Sequence, residues 1–245
     1  MKGIVLAGGR GTRLHPLTKI INKHLLLVGN EPMIFNPLRK LIEAGIRDIL
    51  IITNSEDVPM FRELLGDGKT FGAVFHYQAQ LEASGTGSAL LSGETFAGGE
   101  NIIVVYGDNI TTTSLAPYIQ SFSRQNEGAL ILLKEVKDPR RFGVATVSGN
   151  RITDIEEKPD NPKSNLAITG IIMYTPGVFD VAKKLERSVR GEYEMTDIYR
   201  RYMESGKLRY EIIKGEWVDA GTPESLAEAA RLLLKLEAQG GNRNL

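Results

Sequence analysis

Cysteine is absent from the 245 residues. That removes disulfides, thiolate nucleophiles and cysteine-ligated zinc, and it fits a reducing compartment. Net charge is absent too. The 30 Lys and Arg residues balance 30 Asp and Glu, so no electrostatic footprint argues for nucleic acid or an anionic membrane as a partner. Long apolar runs are also missing. Ile4-Val5-Leu6-Ala7 is too short for a signal-peptide core, and no stretch approaches the ~20 residues of a transmembrane helix. A soluble, cytoplasmic protein is the expectation. No repeat, linker or low-complexity segment interrupts the chain. With 42% apolar and 24% charged residues it reads as one unit, 1–245, with an ample core.

What is present alternates. Short apolar runs at Ile4–Ala7, Ile49–Thr53, Val74–Tyr77 and Ile102–Tyr106 predict buried strands. Between them, helices are predicted over Pro32–Ala44, from a cap at Ser55 to Gly66, and over Gly85–Phe96. Such alternation implies an α/β fold with a mostly parallel sheet covered on both faces, and a ligand site beyond the carboxyl ends of the strands. The second half is less regular. Strands are predicted at Ala129–Val136 and Ile168–Tyr174, and Ser148-Gly149-Asn150 turns a hairpin between Gly143–Val147 and Arg151–Glu156. Helices are predicted over Pro176–Leu185, Met195–Glu204 and Pro223–Leu236, the last capped by Thr222; the tail from Gly240 to Leu245 should fray.

Two segments carry candidate chemistry. Gly8-Gly9-Arg10-Gly11-Thr12-Arg13 follows the first strand, and glycines there let backbone N–H groups approach an anion. Arg13 adds a fork suited to phosphate, and Lys23 could clamp the same polyphosphate from a second side. The loop lacks the Gly-Lys-Ser/Thr end of a P-loop, and Leu14 stands where a dinucleotide fingerprint needs its third glycine. Pro16 argues against an immediate helix. The plain alternative is a glycine-rich turn. The second segment pair is Asp108, at the end of the fourth strand, and Asp219, just before the last helix. Two such carboxylates could hold Mg²⁺ with substrate phosphates and water; singly, Asp108 would read as a turn residue and Asp219 as a helix-entry residue. Glu157-Lys158 by itself reads as the solvated end of a hairpin strand.

Taken together the motifs resemble a known family. Leu6-Ala7-Gly8-Gly9-Arg10-Gly11-Thr12-Arg13-Leu14 with Pro16, Thr18 and Lys23 is similar to the signature of the sugar nucleotidyltransferases. Gly107-Asp108-Asn109-Ile110, Arg141-Phe142-Gly143-Val144, Glu156-Glu157-Lys158-Pro159, Thr169-Gly170, Arg190-Gly191-Glu192, Glu194-Met195-Thr196-Asp197-Ile198 and Asp219-Ala220-Gly221-Thr222 follow in the family's order. The match spans nearly the whole chain and is closest to the short-form glucose-1-phosphate thymidylyltransferase branch.

The resemblance implies a Rossmann-like three-layer α/β/α nucleotidyltransferase fold, with a nucleotide-binding half over about 1–112 and an inserted sugar-binding β region in 113–245. It implies transfer from dTTP to glucose-1-phosphate with release of pyrophosphate, Mg²⁺ held by Asp108 and Asp219, and a homo-oligomer. Leu6, Gly8, Gly9, Gly11, Thr12, Arg13, Lys23, Asp108 and Asn109 would hold the nucleotide, and Gln80 and Gly85 would read its base. Gly143, Glu157, Lys158 and the backbone near Ile168 would hold the sugar phosphate, with Arg190 beside them. Arg13, Lys23, Asp108, Lys158 and Asp219 would carry catalysis. His15, His24 and His76 are given no role.

Some residues depart from the family pattern. Leu27-Val28 lacks the usual Pro after Lys-x-Leu-Leu, and Gly85-Thr86-Gly87 replaces Gly-Leu/Ile-Ala. Thr111 stands where an aromatic is common, and Leu166 where Tyr is frequent. Another base (UTP, CTP, ATP) or another hexose-1-phosphate therefore stays open, as does a catalytically silent nucleotide-sugar-binding subunit. A nicotinamide-dependent oxidoreductase is disfavoured by the missing third glycine. The chain ends soon after its last helix, where longer members carry an extension.

Overall fold

In the computed structural model, which describes residues 1–80, 84–125 and 127–238, the strands in chain order are Lys2–Leu6 (β1), Leu27–Val28 (β2), Glu31–Pro32 (β3), Asp48–Thr53 (β4), Val74–Ala79 (β5), Ile102–Tyr106 (β6) and Asn109–Thr111 (β7). There follow Ala129–Glu135 (β8), Gly143–Ser148 (β9), Arg151–Glu157 (β10), Leu166–Tyr174 (β11), Leu208–Ile212 (β12) and Trp217–Asp219 (β13). The α-helices are Phe35–Glu43 (α1), Val58–Leu65 (α2), Thr86–Leu91 (α3), Glu94–Ala97 (α4), Ala116–Phe122 (α5), Val178–Ala182 (α6), Met195–Glu204 (α7) and Pro223–Ala238 (α8). The frayed tail expected from Gly240 to Leu245 lies outside the described residues.

β5, β4, β1 and β6 pair in that order, all parallel. β11 joins β6 antiparallel; β8 lies on its other side, with β12 parallel to β8. The β9–β10 hairpin attaches at Ala167 of β11, opposite Val144. Of the nine strands in this sheet only β10 and β11 oppose the rest, so the mostly parallel sheet expected from the alternation is present.

The three layers follow from the two-residue period of a strand. Ile4 and Leu6, Leu50 and Ile52, Ile102 and Val104 face a core closed by α3, α6 and α7. Their neighbours Val5, Ile49, Ile51, Ile103 and Val105 face the opposite core, closed by α1, α2 and α5. A smaller cluster of Val28, Met33, Ile110, Val218, Ala229 and Leu233 seats α8 against the β7–β13 ribbon.

Several boundaries differ from the sequence reading. The first helix begins at Phe35 rather than Pro32, because the N–H groups of Met33 and Ile34 donate to the carbonyls of Leu26 and His24 and hold a short hairpin there. Ser55 does not cap α2; its hydroxyl turns to Glu56, and the helix starts after Asp57. The helix expected over Gly85–Phe96 is two short ones. Between them lies Gly93, where a Cβ would come within 2.6 Å of Ile4 Cδ1. The helix expected over Pro176–Leu185 keeps only Val178–Ala182. β7, α5, β12 and β13 were not anticipated as elements: three are strands of three to five residues, too short to show a period, whereas Leu115, Tyr118 and Phe122 do give the seven-residue α5 a buried face at helical spacing.

Candidate active site

The cleft lies beyond the carboxyl ends of β1, β4, β5 and β6. The glycine loop leaves β1 with Gly9 and Gly11 at positive φ (90° and 58°), and three 3-10 turns carry the chain to Lys23 in place of an immediate α-helix. Its base is a buried polar network. Asn22 Nδ2 donates to the Ala7 carbonyl and to Asp57 Oδ2 (3.1 and 2.7 Å), Thr53 Oγ1 donates to the same carbonyl, and Asn54 Nδ2 also reaches Asp57. Asn54 Oδ1 accepts Gln80 Nε2 at 2.7 Å, which lays the Gln80 amide over Gly8; a Cβ on Gly8 would stand 2.5 Å from Gln80 Oε1.

His24, given no role from sequence, is a strut in this network. It is 1% exposed, its Nδ1 lies 2.8 Å from Asn22 Oδ1, and its ring packs under Gly107. Burial, then the charge of Lys23, lowers its pKa to about 3, so it is neutral in the folded protein.

Lys23 Nζ reaches Asp108 Oδ2 at 2.5 Å. Burial pushes the Asp108 carboxyl up, but the Lys23 ammonium and hydrogen bonds from Lys23 and Asn109 outweigh it and hold the group below the usual carboxylate range. The β7–β13 ribbon pairs Asn109 with Asp219, and the Ala220 N–H donates to the Asp108 carbonyl, so the two aspartates share one end of the cleft. Asp219 is pushed up by burial and then by Asp108, against the pull of Lys23 and Arg13. A buried carboxylate raised by a second carboxylate is a place where a cation relieves repulsion. Two oxygen ligands without an imidazole suit a hard cation that takes its remaining ligands from phosphate and water. Among the described residues no group of three or more His, Asp or Glu gathers as a metal site.

Two cavities meet at Lys23 and Asp108. One, of about 410 Å³, is lined by Leu6, Gly8, Gly9, Gln80 and Gly85; the other, of about 230 Å³, by Arg13, Asn109, Gly143, Glu157, Lys158, Ile168 and Asp219. Lys23, Thr86, Tyr106, Asp108 and Glu192 line both. Gly143 admits close approach, since a Cβ there would be 2.9 Å from Thr196 Cγ2. Lys158, alone among the described non-glycine residues, has positive φ (44°), strain that recurs at ligand sites. Its Nζ is 3.3 Å from Glu157 Oε1, so the two residues that could have been a solvated strand end face a cavity instead.

The site departs from the expected residue set in places. Gly11 and Thr12 shape the loop but line neither cavity, and Arg13 lies on the Asp219 side, near Gly221, rather than in the larger cavity. Asn109 is spent inside the protein: its Oδ1 accepts Trp217 Nε1 and the Gly170 N–H (2.7 and 2.9 Å) and its Nδ2 props Asp108. Arg190 stands behind the lining, 3.3–3.6 Å from Glu157, Glu192 and Glu194. Tyr106, Arg141, Thr196 and Trp217 line the smaller cavity unanticipated, though each lies inside or beside a run the sequence already singled out.

The profile of the nucleotidyl transferase family matches residues 2–235. A glucose-1-phosphate thymidylyltransferase of Neisseria meningitidis is 46% identical over 94% of this chain and 81% of its own length. One from Mycolicibacterium smegmatis is 41% identical over 98% and 85%. A Bacillus anthracis crystal structure, described as a candidate glucose-1-phosphate thymidylyltransferase with bound sucrose, superposes with a TM-score of 0.91 at 47% identity, covering 95% of this chain and 94% of that one. A UDP-glucose pyrophosphorylase with UDP-glucose gives 0.84 at 26% identity, over 96% and 98%. With the family profile matched over nearly its whole length and relatives above 40% identical on a matching fold, this chain belongs to the nucleotidyl transferase family.

Proposed function

We propose that the protein transfers a thymidylyl group from dTTP to glucose-1-phosphate, giving dTDP-glucose and pyrophosphate. The carrying observation is the junction of the two cavities at Lys23 and Asp108, with Asp219 beside it in the smaller one. The larger cavity, under Gln80 and Gly85, takes the nucleotide, and the smaller, around Gly143, Glu157 and Lys158, takes the sugar phosphate. The relatives named for this reaction support dTTP and glucose-1-phosphate over another pair.

A sugar phosphate is largely dianionic at neutral pH, its second pKa being roughly 6, so its oxygen attacks the α-phosphorus without a general base. The protein's task is to align the two phosphates and neutralise their charge. Lys23 sits where the cavities join, Arg13 stands beside Asp219 to offset charge at the reacting phosphates, and Lys158 receives the sugar phosphate while Glu157 accepts sugar hydroxyls. Asp108 and Asp219 would hold Mg²⁺, which supplies charge neutralisation on the phosphates. The basic residues and both aspartates gather in one cleft, which favours an enzyme over a silent binding subunit. Among the described residues no helix is long and apolar enough to cross a membrane. Our reading extends to a cytoplasmic homo-oligomer, for which sedimentation equilibrium is the direct check of assembly.

Pyrophosphate release, measured with Mg²⁺ across five nucleoside triphosphates and several hexose-1-phosphates, tests the proposal. Release that requires both substrates and is fastest with dTTP and glucose-1-phosphate is expected. A faster rate with another pair would reassign the substrates, and no release from any pair would overturn the reaction.

A further inference from the structure

Arg141 carries a two-donor fork that no hydrogen bond among the described residues engages. Its side chain is half-buried, but Nε and Nη2 are themselves buried and make no hydrogen bond. These two nitrogens share one edge of the guanidinium plane, the edge that grips two oxygens of one carboxylate or phosphate. Nη2 stands 3.6 Å from Asp219 Oδ1, an ion pair too long for a hydrogen bond. The guanidinium is held over the Phe142 ring, with Cζ 5.6 Å from its centroid, and that ring packs edge-on against Trp217 at 5.3 Å.

A charged donor buried without an acceptor costs free energy, so its retention points to oxygens supplied from outside. Lys23 is engaged by Asp108 and Lys158 by Glu157 in the same cavity, which leaves the Arg141 edge open for an incoming anion. We infer that the Nε–Nη2 edge of Arg141 binds two phosphate oxygens of the hexose-1-phosphate, making Arg141 a substrate-contacting residue on the sugar side. The inference rests on the functional reading above. The phosphate would approach Asp219 on its way to the reaction centre, and the cation of Arg141 offsets that repulsion.

Steady-state rates of wild type, Arg141→Lys and Arg141→Ala test it, with each substrate varied at saturating levels of the other and of Mg²⁺. Loss of a bidentate charged contact should raise KM for glucose-1-phosphate roughly tenfold or more in both variants, because Lys keeps the charge but not the fork, while KM for dTTP stays within about twofold. Calorimetric titration with dTDP-glucose should weaken in parallel without any turnover. An unchanged glucose-1-phosphate KM in both variants would overturn the inference. So would a loss carried by the dTTP KM, which puts the fork on the triphosphate, or a loss carried only by a higher Mg²⁺ requirement, which leaves Arg141 as a positioning residue for Asp219. Wild type that releases no pyrophosphate from any substrate pair would overturn the functional reading itself, and this inference with it. Should Arg141→Ala lose its cooperative melting transition, the Lys variant decides.

Discussion

Asp108 shows how much one residue's surroundings decide. Its side chain is 8% exposed and ion-paired with Lys23, a geometry in which removing one charge leaves the other buried and uncompensated. Asp108→Asn should cut turnover by roughly a hundredfold or more, as loss of a preorganised charge at a reaction centre does. Near-normal turnover at limiting Mg²⁺ would remove Asp108 from the site. His24 makes a separate prediction about stability. Its folded pKa of about 3 lies below its unfolded value of 6.5, so the unfolded chain binds the extra proton between those limits. Its contribution is fully present above pH 6.5 and is lost as pH falls; the loss between pH 6.5 and 5 should be about 2 kcal/mol. Urea denaturation across that range should show the slope in wild type and a flatter profile in His24→Gln, whatever the variant's absolute stability. Equal slopes would exclude His24 as the source.

Among the elements, short connections bear the functional geometry. α8 is held at its start by reciprocal bonds between Thr222 and Ser225: the Ser225 N–H donates to Thr222 Oγ1 (3.3 Å) and the Thr222 N–H to Ser225 Oγ (3.1 Å). Thr222 was legible as this cap from sequence, since Thr-Pro-Glu opens a helix by rule. Thr222→Ala should cost about 1 kcal/mol, read as a lower denaturation midpoint, and an unchanged midpoint would discard the cap. Gly170 belongs to β11 at an irregularity in its pairing with β8, and a Cβ there would stand 2.4 Å from Tyr106 Cγ. Gly170→Ala should destabilise by ~1–3 kcal/mol through overpacking, and it should disturb both cavities because Tyr106 lines both. A variant with wild-type stability and kinetics would show that the ring yields freely. Sequence placed Thr169-Gly170 in a motif but could not say that the glycine makes room for an aromatic ring 64 residues earlier in the chain.

For the whole molecule, the two halves are not separable bodies. Strands and helices from both sides of residue 112 build each of the two large cores, and β11 of the second half pairs directly with β6 of the first. A fragment of residues 1–112 would expose the β6 edge and its own share of each core to water. Circular dichroism during urea titration should then show no cooperative transition. A sharp transition would mean that the nucleotide half folds alone.

The sequence by itself determined the α/β layering, the position of the glycine loop after β1 and the strand-end location of Asp108. These follow from local properties: apolar periods, glycine backbone freedom, and the rule that parallel strands present their carboxyl ends to a ligand. The motif order also named the family. Tertiary structure alone decided which side chains share a cavity. It brought Asp219 beside Asp108 through the β7–β13 pairing, turned Asn109 inward to Trp217 and Gly170, and placed Arg190 behind three carboxylates. It also left the Arg141 fork unmatched beside Asp219. The physical reason is that most of these contacts join residues tens of positions apart, where only the packed chain fixes distance and burial; burial lowers the pKa of His24 and raises that of Asp219, while the Lys23 ammonium overrides it at Asp108.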